Sequence, residues 1–325
     1  DISFDSLEFT HATSFQPTQP SGFVERYGNI RFTDVTKRTL QPFPAAVMVS
    51  AARRISITSC SFSRLGQWGL RLYNGTQETA VSRCSFTDLS GGAVSVGDVD
   101  DSGETNPNRQ TATITLVDNN MDGMGREYPG APAVHSFCMR DSLIAHNRIA
   151  NVGYTGISYN WPNPQGPTWT KSATVGYSAN NAVLANDISA FMSYMNDGGG
   201  IHTIGRAYNT SVAANYFHDL AAGRPGAVST HAQSVLYVDN WSCFITLESN
   251  VVVNCPATQQ GPYYFQHASL GLAHDDAIAH LYLVDAGHLS GRSEPCNCTG
   301  VVNATSVTNL PPQAQRIIAA AGPRP

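Results

Sequence analysis

The sequence predicts an all-β fold, a right-handed parallel β-helix (β-solenoid), and three observations carry that prediction. A short strand-like pattern recurs along the chain at intervals of a few tens of residues, a second glycine-led strand follows several of its copies, and helical periodicity is almost absent.

In the recurring unit, alternating apolar residues lead into Asn or Cys and alternation then resumes. The copies are Ile55-Ser-Ile-Thr-Ser-Cys60-Ser-Phe62, Ala80-Val-Ser-Arg-Cys84-Ser-Phe86, Thr115-Leu-Val-Asp-Asn-Asn120-Met, Leu143-Ile-Ala-His-Asn147-Arg-Ile149, Val183-Leu-Ala-Asn186-Asp-Ile188, Val212-Ala-Ala-Asn215-Tyr-Phe217 and Ile245-Thr-Leu-Glu-Ser-Asn250-Val-Val252. The Asn/Cys column recurs after 24, 36, 27, 39, 29 and 35 positions. A variable period of this size means one supersecondary turn per unit with insertions on one side. Asn at the column suits a tight turn, because it tolerates a left-handed backbone and bonds its neighbours, so successive Asn residues stack into a ladder.

The second strand is Gly66-Gln-Trp-Gly-Leu-Arg-Leu72, Gly91-Gly-Ala-Val-Ser-Val96, Gly153-Tyr-Thr-Gly-Ile-Ser-Tyr159 and Gly198-Gly-Gly-Ile-His-Thr-Ile204, with glycine allowing a sharp corner. About eight or more coils are expected, right-handed because parallel crossovers almost always are. Residues 1–310 form the solenoid in this reading, and 311–325 a short C-terminal helix and tail that closes it. Asp1 begins inside a strand pattern, Ile2-Ser-Phe-Asp-Ser-Leu-Glu-Phe9, with no polar cap before it, so an N-terminal cap is expected to lie outside this chain.

Composition agrees with a stacked interior. The 325 residues are 42% hydrophobic and only 13% charged, against roughly 25% charged in an ordinary soluble domain. With a net charge of −5 and only two lysines, Lys37 and Lys171, no basic stripe exists for phosphate contacts, which argues against nucleic acid as a partner. No apolar run reaches the length of a spanning helix, roughly 18 residues or more.

The seven cysteines (Cys60, Cys84, Cys138, Cys243, Cys255, Cys296 and Cys298) contain no Cys-x-x-Cys pair, which argues against a thiolate metal site. Five Asn-x-Ser/Thr sequons, at Asn74, Asn209, Asn240, Asn297 and Asn303, point to a secreted or cell-surface glycoprotein with some disulfides. Cys60 and Cys84 share the column in consecutive coils, which suits either a disulfide or a stacked pair of thiols.

Insertions gather at 97–112, 121–136, 159–181 and 221–234, so a loop-walled groove is expected on one side. Trp161, Trp169, Tyr128, Tyr154 and Tyr159 fall there, flat side chains suited to sugar rings or simply to packing loops. In Tyr194-Met-Asn-Asp197-Gly-Gly-Gly-Ile-His202, three glycines leave the Asp on open backbone, and the next coil supplies Ser234-Val-Leu-Tyr237-Val-Asp239. Two carboxylates on neighbouring coils are what glycoside hydrolysis needs, one as acid for the leaving oxygen and one as base or nucleophile. His202, His231, His135, Trp161, Tyr159 and Tyr237 are the expected substrate contacts. Asp98, Asp100 and Ser102 alternate oxygen donors like a calcium loop, but Arg109 stands where that loop needs a bidentate Glu. A solvated acidic turn is the competing reading, and no cofactor is required.

Asn196-Asp-Gly-Gly-Gly-Ile-His-Thr-Ile-Gly205, His146-Asn-Arg-Ile-Ala-Asn-Val-Gly-Tyr-Thr-Gly-Ile-Ser158, Tyr237-Val-Asp-Asn and Leu7-Glu-Phe-Thr-His-Ala-Thr13 together resemble the β-helix glycoside hydrolases of family 141, the α-L-fucosidase/xylanase family of the pectate-lyase-like superfamily. The resemblance runs from about residue 1 to about residue 320 and is most specific at the Asp-Gly-Gly and Tyr-x-Asp motifs. It implies that Asp197 and Asp239 are the catalytic pair. The family often has an acidic residue after the second Asp, whereas Asn240 stands here and opens a sequon. The expected function is therefore extracellular hydrolysis of a cell-wall or cell-surface polysaccharide. The alternatives are a non-catalytic, carbohydrate-binding domain of a larger surface assembly and a polysaccharide lyase.

Overall fold

Alternating apolar and small residues put one face of each short strand inward, and the strands stack in parallel, each coil bonding to the next. In the computed structural model of the chain, which describes residues 1–14, 30–34, 39–98, 101–160, 177–221, 233–239, 242–255, 263–265, 277–284 and 298–324, the result is a parallel β-helix. Its first sheet has ten strands, from Ile2–Asp5 to Cys298–Thr299, its second has ten, from Glu8–Thr10 to Val302–Ala304, and its third has eight, from Ala45–Ser50 to Tyr263–Phe265. The strands Ile30–Asp34 and Thr39–Pro42 pair separately and antiparallel.

In-register pairing turns the inward positions into rows along the axis. Ile57, Val81, Leu116, Ile144, Val183, Val212 and Leu247 form one such row, each buried. On the second sheet Phe9, Phe62 and Phe86 stack with ring centroids 4.8 and 4.6 Å apart, a spacing set by the strand separation.

The corner between the first and second sheets holds the expected ladder, with one correction. Asn119, Asn147, Asn186, Asn215 and Asn250 are buried, and each of the first four donates its Nδ2 to the next Oδ1, at 2.9, 3.0, 2.9 and 3.1 Å. The third column residue is thus Asn119. Asn120 begins the following strand and pairs with Ser85 and Arg148. Nor does the ladder Asn itself take the left-handed backbone: the residue before it does. Ser6, Ser59, Arg83, Asp118, His146, Ala185, Ala214, Ser249, His280 and Gly300 all have φ between 50° and 69°. Once the preceding residue makes the turn, the column side chain points inward, and a ladder of carboxamides satisfies its own polar atoms there.

Two further expectations change. The helix Pro312–Ala320 does not plug the end of the solenoid. It lies on the outer face of the second sheet, with Ala314 and Leu310 against Val251, Tyr282 and Val284. The tail beyond runs back along the corner, where Gly322 N–H donates to Ala185 O and Arg324 pairs with Asp118 at 2.7 Å. Among the described residues no disulfide is seen, contrary to the expectation: Cys60, Cys84, Cys138 and Cys255 are free, buried thiols, and Cys296 lies outside the described residues. Cys60 and Cys84 take the stacked-thiol option, with Sγ of Cys84 donating to the carbonyls of Ile57 and Ser82 and burial pushing this thiol up to about 11.

Candidate active site

The outward row of the third sheet differs from the inward ones. The register aligns Arg71, Ser95, His135, Ser158, His202 and Tyr237, and every one is buried although it points away from the solenoid interior. A buried row of guanidinium, hydroxyl, imidazole and phenol groups is costly unless it is bonded or serves chemistry.

Asp197 and Asp239 meet this row at its His202–Tyr237 end. Asp197 immediately precedes the strand Gly198–Thr203, and Asp239 immediately follows the strand Gln233–Val238 on the next coil. The Tyr237 hydroxyl donates to Asp197 Oδ1 at 2.7 Å. His202 Nε2 lies 3.1 Å from Asp239 Oδ2. The His202 and Tyr237 rings meet edge to face, centroids 4.7 Å apart. The two carboxylates therefore lie at opposite ends of the paired strands, each bonded to one member of the Tyr237–His202 ring pair. Asp239 is 5% exposed, and its backbone is fixed by N–H donation to Thr203 O at 2.9 Å.

Asp197 has φ 65°, a left-handed backbone uncommon for a non-glycine residue. The Tyr154 hydroxyl, on the preceding coil, donates to its main-chain oxygen at 2.6 Å. The glycines that follow do not leave open backbone, contrary to the sequence expectation. A Cβ on Gly198 would lie 2.5 Å from Thr155 Oγ1, on Gly199 2.7 Å from Ser234 O, and on Gly200 2.6 Å from the Phe217 ring. Glycine is needed because neighbouring coils press in on this segment.

The remaining sequence candidates divide sharply. Tyr159 is a correction: it points into the solenoid, wholly buried, and its hydroxyl accepts from Asn181 Nδ2 at 2.7 Å, because it shares the inward parity of Ile157. Tyr154 and Tyr128 are buried as well, Tyr128 packing edge-on to Phe43. His135 is on the outward row, fully buried against Phe137, and burial, with Arg71 and His202 nearby, pushes it down to about 3, so it is a neutral imidazole. His231, Trp161, Trp169, Asn240 and Asn297 lie outside the described residues. Asn74, Asn209 and Asn303 are exposed.

Arg71 escaped the sequence reading. It is 4% exposed, stacks on the Tyr73 ring at 4.2 Å and pairs with Asp98 Oδ2 at 3.0 Å. Only its alternation with the inward Leu70 and Leu72 could have flagged it. Asp98, a calcium candidate, thus faces a guanidinium. Ser102 is buried in the turn Asp101–Gly103, and Asp100 lies outside the described residues. Among the described residues no three His, Cys, Asp or Glu side chains gather as a metal site, and no helix is long and apolar enough to cross a membrane.

Neither a family model nor a curated protein matches the chain. Among solved structures, it is similar to one described as a glycoside hydrolase, with 24% identity and a TM-score of 0.65 over 88% of this chain. A mutant of the periplasmic alginate epimerase AlgG follows at 16% identity and TM-score 0.45 over 77%, and PfbA, a surface adhesin of Streptococcus pneumoniae, at 8% and 0.44 over 80%. The chain spans 42% of the glycoside hydrolase, 49% of the epimerase and 64% of the adhesin. What the first of these establishes is the fold, a parallel β-helix, and function has to be argued from the site.

Proposed function

We propose that the protein is an extracellular glycoside hydrolase acting on a cell-wall or cell-surface polysaccharide, with Asp197 and Asp239 as its catalytic carboxylates. The observation that carries this reading is the placement of the two Asp on adjacent coils at either side of one Tyr237–His202 ring pair. The resemblance to the family 141 enzymes adds to it. In the reaction the C1–O bond breaks, the leaving oxygen takes a proton from one carboxyl group, and water adds at C1 with help from the other carboxylate.

The test is a reducing-end assay on a panel of arabinoxylan, fucosylated xyloglucan, pectin and alginate. Asp197→Asn and Asp239→Asn are each expected to lose roughly 100-fold or more in rate, the scale of a missing general acid or base. Unchanged rates in both variants overturn the assignment.

One contact favours a second reading. A histidine held by a buried carboxylate is how an enzyme orients a general base. Acting on a uronic acid, His202 would remove the C5 proton, the C4–O bond would break with its electron pair leaving on the glycosidic oxygen, which takes a proton from solvent, and a C4=C5 double bond would form, as in a polysaccharide lyase. Ultraviolet absorbance of that conjugated double bond, rising with cleavage, separates this outcome from hydrolysis, which produces none.

A further inference from the structure

Asp197 is gripped twice, by tyrosines of the two coils that flank its own. Tyr154 holds its main-chain oxygen at 2.6 Å and Tyr237 holds its carboxylate at 2.7 Å. Both rings are wholly buried, so each hydroxyl is delivered from a fixed support. Between the two contacts the backbone sits at φ 65°, a left-handed conformation that Asp tolerates better than most L-residues and that these bonds hold in place. The residues after it, Gly198, Gly199 and Gly200, add no side chain to the turn and are held through their backbone by the neighbouring coils.

We infer that Tyr154 and Tyr237 are positioning residues that clamp Asp197 for the reaction, Tyr154 through the main chain and Tyr237 through the carboxylate. This replaces the substrate contact expected of Tyr237 and rests on the hydrolase reading above. Neither tyrosine is required to touch substrate. Tyr237 has a second effect, because its ring also packs edge to face on His202, which bonds Asp239. Removing the hydroxyl alone therefore releases Asp197 and leaves the His202 packing in place.

The two hydroxyls act on Asp197 at different points, the carboxylate and the main-chain oxygen. Tyr237→Phe and Tyr154→Phe are each expected to lower kcat about 10-fold or more with KM little changed, the scale of a small misplacement of a catalytic group. A purely structural tyrosine would not lower kcat selectively.

The test takes wild type, Tyr237→Phe, Tyr154→Phe and Asp197→Asn through two measurements: kinetics on whichever panel glycan wild type cleaves fastest, and amide hydrogen exchange over residues 197–200. Faster exchange in both Phe variants, with the kinetic pattern above, supports the clamp. Unchanged exchange in both overturns it, whatever the activity. If exchange rises in both but Asp197→Asn remains fully active, the clamp stands as a structural fact and the hydrolase reading fails. Because each variant keeps its ring and loses one oxygen, a thermal melt within a few degrees of wild type is expected. A collapse of the melt instead overturns the positioning role in favour of a structural one.

Discussion

His202 turns its Nε2 to Asp239 Oδ2 at 3.1 Å, with the two side chains 0% and 7% exposed, so each shields the other's polar atoms from a dry surrounding. Removing one partner strands the other, which costs about 1–3 kcal/mol for a neutral group and more for a charged one. His202→Ala is thus expected to lower stability by about 2–4 kcal/mol. Asp239→Asn keeps an oxygen acceptor at the same place and is expected to cost less in stability while abolishing cleavage. Urea unfolding of the two variants beside their rates checks this. A similar stability loss in both would show that the pair serves the fold more than the chemistry.

Breaking the carboxamide ladder at its middle is expected to hurt most. Asn186 accepts from Asn147 at both Nδ2 and the main-chain N, and donates to Asn215 Oδ1 and Ile144 O. Asn186→Ala leaves several of these buried groups without partners, at about 3–5 kcal/mol together. Cys60→Ala, in the same column but beyond the carboxamide run, should cost about 1–2 kcal/mol, the scale of a small lost side chain. Denaturant midpoints with unchanged m-values report the difference. Equal losses would mean that volume, and not the ladder, sets the cost.

How much of this was legible in the sequence follows from what periodicity encodes. Alternation fixed which residues face inward, and the Asn column located the corner, so the parallel β-helix could be read directly. The Asn119/Asn120 slip arose because two adjacent asparagines fit the column equally well, and only the left-handed Asp118 decides between them. Tyr159 was misplaced because a large polar-tipped ring reads as a groove residue, whereas Asn181, Ser178 and Thr210 satisfy its hydroxyl inside the solenoid. The Asp197 and Asp239 motifs were visible. What joins them, Tyr237 bonding one and His202 the other, depends on register across coils that no local pattern records.

The outer face of the second sheet holds a pH-sensitive element. His218 Nε2 lies 2.9 Å from Asp187 Oδ1 and its Nδ1 2.6 Å from Asp219 Oδ2, with Tyr216 stacked on the ring and Asn254 bonded to Asp219. Carboxylates at both ring nitrogens call for two N–H donors, so the ring is an imidazolium. Burial works against that charge, but the bonds and charges of Asp187 and Asp219 outweigh it and hold the pKa above the ordinary value of 6.5. A raised histidine stabilises the fold fully below its unfolded value, and that contribution is lost as pH rises through the folded one. Thermal melts of wild type are expected to fall above about pH 6.5. His218→Gln should flatten this part of the curve, and an identical slope in the variant would exclude the residue as its source.

Asp101 adds a slope of the same sign for a different reason. Its carboxyl is 8% exposed beside the Arg71–Asp98 pair, where Oδ2 accepts from the Asp98 N–H at 2.8 Å and from Thr111 Oγ1 at 3.4 Å. Burial pushes it up to about 7, and the neighbouring Asp98 charge adds to this against the opposing hydrogen bonds. The folded state therefore holds a proton that the unfolded chain releases near its ordinary value of about 3.9. Stability from this group is complete below that value and declines as pH rises to about 7. Asp101→Asn mimics the protonated acid, retains an acceptor for the Asp98 N–H, and has no charge to bury. It is expected to match wild type near pH 4 and to exceed it near pH 8, where wild type must bury an anion or take up a proton. Since His218 and Asp101 share no partner, their effects should add. The double variant is then expected to be nearly flat between pH 5 and 8, and a residual slope as steep as that of wild type would require another titrating group.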